Sequence, residues 1–89
     1  MKIDKCRAQI DAVDDKLLAL LNKRVSLVIG IMIEKRRLNL GSRDRQREAE
    51  ILSRLASANS GPLDERGVNA IFDQIISESR RRARKLTAL

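Results

Sequence analysis

The chain has no histidine, tryptophan or tyrosine, and only one phenylalanine, one proline and one cysteine. Without histidine, and with Cys6 alone, neither a Cys/His zinc site nor a disulfide within the chain is available. With 1% aromatic residues the core must be aliphatic, and no Trp or Tyr exists to stack on a base. A long apolar run is also missing. The most apolar stretch, Val25 to Ile33, lies mid-chain between Lys23-Arg24 and Glu34-Lys35, well short of the ~20 residues that cross a bilayer. No targeting signal is visible, and a cytoplasmic location is expected. Cys6 falls among apolar positions and is expected to be a small core residue.

What is present is charge. Charged residues make up 35% of the 89-residue chain, with net charge +7 and a pI near 10.5. That balance favours an anionic partner, whether nucleic acid, an acidic surface or a polycarboxylate small molecule. A chain of this length is read as a single domain, 1–89, whose own core would be thin.

Apolar periodicity predicts an all-α chain of three helices, about 3–38, 44–58 and 63–86, with no strand-like alternation. In the first, Ile3, Cys6, Ile10, Val13, Leu17 and Leu20 recur at three- and four-residue spacings and are continued by Leu27, Ile31 and Leu38. Such a helix would be roughly 54 Å long, whereas a compact monomer of this size has a radius of gyration of about 12 Å. It should project from its own chain, and an intertwined six-helix homodimer is expected. The run Val25 to Ile33 points the same way, because it is apolar on nearly every face.

Gly41 is the expected positive-φ residue ending the first helix, and Ser42 a plausible N-cap for the second. The second helix should bury Ile51, Leu52, Leu55 and Ala58, and the same line continued backward meets Glu48, Arg47 and Asp44. A turn at Ala58 to Pro62 leads to the third helix, with cap chemistry between Ser60 and Asp64. Its apolar face is Val68, Ile71, Phe72, Ile75 and Ile76, continuing to Ser79, Ala83 and Leu86. A basic run, Arg80 to Arg82 with Arg84 and Lys85, lies among and beyond them.

One seam position is out of character. Ile3, Ile10, Leu17, Ile31 and Leu38 share a heptad position, and Arg24 occupies the remaining member of that series. A guanidinium there must be paired, solvated in a cleft, or available to an anion, because an unpaired buried charge costs several kcal/mol. Lys35 lies within about 20° of Arg24 around the helix, so the two form one cationic row. Arg7 is rotated by about 100° and displaced by roughly 25 Å from Arg24, beyond reach of a small ligand held by Arg24 of the same chain. In an antiparallel dimer the start of one long helix can lie beside the middle of the other.

Taken singly, these residues have ordinary explanations. Arg24 could pair with a carboxylate inside the bundle, and Lys35 and Arg7 could be solvated surface charges. Asp44, Arg47 and Glu48 could serve the helix dipole and i,i+4 pairing. Ser79 could bond to its own backbone.

Taken together they form an ordered pattern: Arg7 with Ile10-Asp11-x-Val13-Asp14-x-x-Leu17-Leu18-x-Leu20-Leu21-x-x-Arg24, then Ile31-x-x-x-Lys35. Asp44-x-x-Arg47-Glu48-x-x-Ile51-Leu52 follows, and Ile71-Phe72-x-x-Ile75-Ile76-x-x-Ser79 closes it. Over essentially its whole length the chain resembles the all-helical chorismate mutases. The resemblance implies an enzyme of aromatic amino-acid biosynthesis that converts chorismate to prephenate by an intramolecular Claisen rearrangement, with no covalent intermediate, metal or cofactor. Such a reaction needs a dicarboxylate held in its compact shape and a donor for charge developing on the ether oxygen.

By position, the resemblance implies that Arg24 binds a substrate carboxylate and that Arg7 reaches into the partner's site to bind one as well. Lys35 would donate to the ether oxygen, and Glu48 would accept from the ring hydroxyl. The backbone around Asp44 would assist, Arg47 would support the polar wall, and Ser79 would hydrogen-bond the ring carboxylate. Four residues after Ser79, where the family usually places Gln or Glu as a second donor to the ether oxygen, this chain has Ala83. That departure implies lowered turnover or a related substrate such as isochorismate, as in an isochorismate pyruvate-lyase.

Two other classes stand beside the enzyme. One is a basic helical protein binding nucleic acid through Arg80 to Lys85, although that run wraps around its helix and no base-reading motif is present. The other is a non-catalytic helical dimerisation or accessory module. The 89 residues leave no room for a separate dehydratase, dehydrogenase or regulatory domain.

Overall fold

The computed structural model describes residues 1–41 and 43–88, and among them three α-helices and no strand. These are α1, Lys2–Arg37, α2, Arg45–Ala58, and α3, Glu65–Thr87. The expected elements are all present, with boundaries within about two residues, the usual latitude in where a fraying helix ends.

Each helix end has a local cause. At the end of α1 the Leu40 N–H donates to Lys35 O at 2.7 Å and the Asn39 N–H to Arg36 O at 3.0 Å. This double closure requires a left-handed residue, and Asn39, at φ 59°, supplies it. Gly41, expected in that role, does not adopt a positive φ. Ser42 lies outside the described residues; the N-cap of α2 is Asp44, whose carboxylate accepts from Arg47 N–H at 2.9 Å. Asp64 caps α3 in the same way, accepting from Gly67 N–H at 2.7 Å. Between them Asn59 ties the turn, its side chain donating to Leu63 O at 2.6 Å and accepting from Gly61 N–H at 3.0 Å.

Packing is uneven. α3 lies against both other helices, whereas α1 and α2 make no direct backbone approach. The core is correspondingly small: Met32 of α1 with Val68, Ile76 and Ala83 of α3 are the buried apolar residues, joined by Ser79 and Thr87. Phe72 and Ile75 are half-buried, but Ile71 and Leu86 are exposed, as is Ala58 of α2. Arg36 donates to the Thr87 carbonyl and ties the two helix ends together.

The first half of α1 has nothing over it. Ile10 is 57% exposed and Leu17 50%, and Ile3, Val13, Leu18 and Leu20 are similarly open. Cys6, expected in a core, is exposed, because the surface it shares with those residues is uncovered in the single chain. Within Val25 to Ile33 one side is covered, by burial of Met32, while Leu27, Ile31 and Ile33 remain exposed. The chain extends 56 Å along its longest axis with a radius of gyration of 16.1 Å, well above the roughly 12 Å of a compact domain this size. No helix among the described residues is long and apolar enough to cross a membrane.

Candidate functional site

The backbones of α1 and α2 stay apart on α3, and a groove remains between them. It has a volume of about 260 Å³ and is lined by Arg24, Leu27, Val28, Ile31 and Met32 of α1. Asp44, Arg47, Glu48 and Ile51 line it from the start of α2, and Ile76 and Arg80 from α3. Its floor is aliphatic and its rim charged, the usual form of a site for a small polar molecule.

Arg24 is half-buried and donates through Nη1 to Ser79 Oγ at 2.8 Å. Ser79, only 2% exposed, donates its hydroxyl in turn to Ile75 O at 2.7 Å. No carboxylate among the described residues lies within ion-pair distance of Arg24. Burial, and then the like charge of Arg47, push the Arg24 guanidinium below its ordinary pKa. Both effects disfavour the charged form, and an anion bound in the groove would offset them. The ion pair that is one explanation for Arg24 is not formed among the described residues.

Glu48 has the opposite situation. Burial alone would raise its pKa, but Arg43 and Arg80 outweigh this and hold the carboxyl below its usual range. Arg80 Nη1 donates to Glu48 Oε2 at 2.9 Å, and Arg43 reaches the same carboxylate at 3.3 and 3.4 Å. Glu48 is therefore a fixed acceptor on the α2 wall.

Of the other expected site residues, Asp44 and Arg47 line the groove, with Asp44 engaged as the α2 cap. Arg47 also approaches Glu50 at 3.8 Å, an exposed pair of little energetic weight. Lys35 lies one turn beyond Ile31, half-buried and with no ion-pair partner among the described residues; it is not part of the groove lining. Ser79 reaches the groove only through Arg24, being itself turned toward a second hollow beside Leu21, Val25 and Gln74. Ala83, 0% exposed, is outside the lining. Arg7 is exposed on the uncovered half of α1 and does not join these groups within one chain.

Arg43 and Arg80 are not among the residues that the sequence singles out for the site. Arg80 reads there as part of the basic run that follows it, yet a signal is present: it lies four residues after Ile76, on the apolar line of α3. Arg43 precedes the helix and has no periodicity to locate it.

The sequence model described as chorismate mutase type II matches residues 6–84. The fold is similar to chorismate mutase form I from Thermus thermophilus, with a TM-score of 0.87 and 32% identity over 89% of this chain and 99% of that one. Form II from the same organism gives a TM-score of 0.91 at 30% identity, over 93% of this chain and 94% of the other. No curated protein sequence matches the chain with significance.

Proposed function

Because the chain belongs to the chorismate mutase type II family, we propose that its groove binds chorismate and rearranges it to prephenate. In that reaction the ether C–O bond breaks as a C–C bond forms, and neither a proton nor an electron is exchanged with the protein. The protein has two tasks: to hold the two carboxylates so that the reacting carbons approach, and to stabilise charge on the ether oxygen.

The observation that carries this reading is Arg24, a half-buried guanidinium on the groove wall with a hydroxyl partner and no counter-charge among the described residues. A carboxylate bound there gains a charge-assisted, fork-shaped contact. Lys35, at the end of the same helical row, donates to the ether oxygen. Glu48, fixed by its arginines, accepts from the ring hydroxyl, with the N-terminus of α2 around Asp44 and the Arg47 cation completing that wall. Ser79 steadies Arg24 and turns its proton from Ile75 O to the ring carboxylate. With Ala83 supplying no side-chain donor, Lys35 alone serves the ether oxygen. Losing one such donor commonly costs about 10²–10³ in rate, so turnover should be modest.

The site is completed by a second copy. The open seam of Ile3, Ile10, Val13 and Leu17 is covered when two chains pair antiparallel, which also brings the partner's Arg7 to the carboxylate end of the groove. The homodimer then has two equivalent sites. The chain works in the cytoplasm, within aromatic amino-acid biosynthesis.

The test is the loss of chorismate absorbance with purified protein, with prephenate identified as product, beside Arg24→Ala. Turnover that collapses in the variant is expected. A folded protein that leaves chorismate untouched would overturn the assignment; release of pyruvate from isochorismate would redirect it to the lyase.

A further inference from the structure

We propose that Arg80 is a positioning residue for this reaction, its guanidinium anchoring the Glu48 carboxylate of α2 from α3. The inference rests on the chorismate mutase reading for its catalytic half and on geometry for the rest. α3 sends two side chains into the groove, Ile76 and Arg80, and only the second is polar. It donates to Glu48 Oε2 at 2.9 Å, with the two side chains 17% and 22% exposed. Arg43–Glu48 shares that carboxylate at 42% and 22% exposure, and in Arg37–Glu34, Arg47–Glu50 and Arg81–Glu78 both members are more than half exposed, so Arg80–Glu48 is less open than any of these. The backbones of α1 and α2 do not approach each other, whereas both pack on α3, and two polar links run through α3: Arg24 to Ser79 on the α1 side and Arg80 to Glu48 on the α2 side.

The consequence is both geometric and electrostatic. A carboxylate that accepts from a ring hydroxyl must be charged and must not wander, and a long side chain loses substantial rotamer freedom when held. Arg80 meets both needs, and the partly exposed Arg43, at 3.3 Å, provides weaker support. The charged groups facing Glu48 are Arg80 from α3, Arg43 from the connection before α2, Asp44 and Arg47 from its own helix start, and Arg24 across the groove on α1. Among these Asp44 is the other carboxyl, and its oxygen is engaged by Arg47 N–H.

The experiment compares parent, Arg80→Met and Arg80→Lys in two measurements. The first is carboxyl carbon NMR titration of Glu48, assigned with Glu48→Gln; the second is kcat/KM for chorismate against pH. Arg80→Met should raise the Glu48 titration midpoint, lower kcat/KM about tenfold at neutral pH, and move the acid limb of the profile to higher pH. Arg80→Lys should restore most of each. A uniform loss of activity with an unmoved acid limb and titration midpoint would overturn the proposal and leave Arg80 a packing residue. If the midpoint rises in Arg80→Met but the parent does not turn over chorismate, the anchoring stands and the proposed function fails, together with the catalytic half of this inference.

Discussion

Arg24 on α1 and Ser79 on α3, separated by 55 residues in sequence, are joined by a 2.8 Å hydrogen bond. The bond fixes the cation that the groove presents, and it uses a hydroxyl that is itself buried and anchored to Ile75 O. Arg24 therefore has a defined direction without having its charge neutralised.

Replacing Ser79 with Ala removes that fixture and leaves the charge. A hydrogen bond to a charged group contributes about 1.5–3 kcal/mol, so kcat/KM for chorismate should fall about tenfold or more. Arg24→Ala should fall much further. Steady-state kinetics on the two variants decide the order; equal losses would mean that the Arg24 charge contributes nothing beyond what Ser79 supplies.

Acid should weaken the fold through Glu48. Its folded-state pKa is depressed, so its contribution is fully present above the unfolded value, about 4.3, and is lost as pH falls from there through the folded value. Thermal unfolding followed from pH 7 down to pH 3 should show a falling midpoint, with a shallower fall in Glu48→Gln. Glu34 and Glu78 are also depressed, by Arg37 and Arg81 respectively, but they are exposed and should leave only a small residual slope. Identical slopes in parent and variant would remove Glu48 from the explanation.

Of the two side-chain caps, Asp64 is remote from the groove and Asp44 lines it. Asp64→Ala should lower stability by about 1 kcal/mol through loss of the acceptor for Gly67 N–H, and should leave KM unchanged. Asp44→Ala removes an equivalent cap at the groove wall and should change both unfolding midpoint and KM. Denaturation and kinetics on the pair separate structural from functional capping.

Pairing of chains can be tested by complementation. Arg7→Ala and Arg24→Ala proteins should each be nearly inactive, but unfolding and refolding them together should form mixed dimers in which one site has both arginines. Random pairing then recovers about a quarter of parental activity. No recovery would place Arg7 outside the partner's site. Leu17→Asp, at the open seam, should give monomers by sedimentation.

The amino-acid order by itself determined the helices and their caps' neighbourhoods, because three- and four-residue spacing of Ile, Leu and Val is a local property that any α-helix turns into a face. It also marked Arg24, since one cation in an aliphatic heptad series stands out without knowledge of any contact. It placed Asp44, Arg47 and Glu48 together because residues three and four apart fall on one side of a helix.

Tertiary structure decided the rest. Which arginine of Arg80, Arg81 and Arg82 enters the groove depends on how α3 rolls against α1 and α2, and a rotation of about 100° per residue puts Arg80 on Glu48 while Arg81 pairs at the surface with Glu78. The left-handed residue at the end of α1 was likewise settled by register, because Asn39 reached the required conformation before Gly41 could. The groove exists only because α1 and α2 stay apart on either side of α3. Separations of this kind are set by side chains distant in sequence, and no local spacing records them.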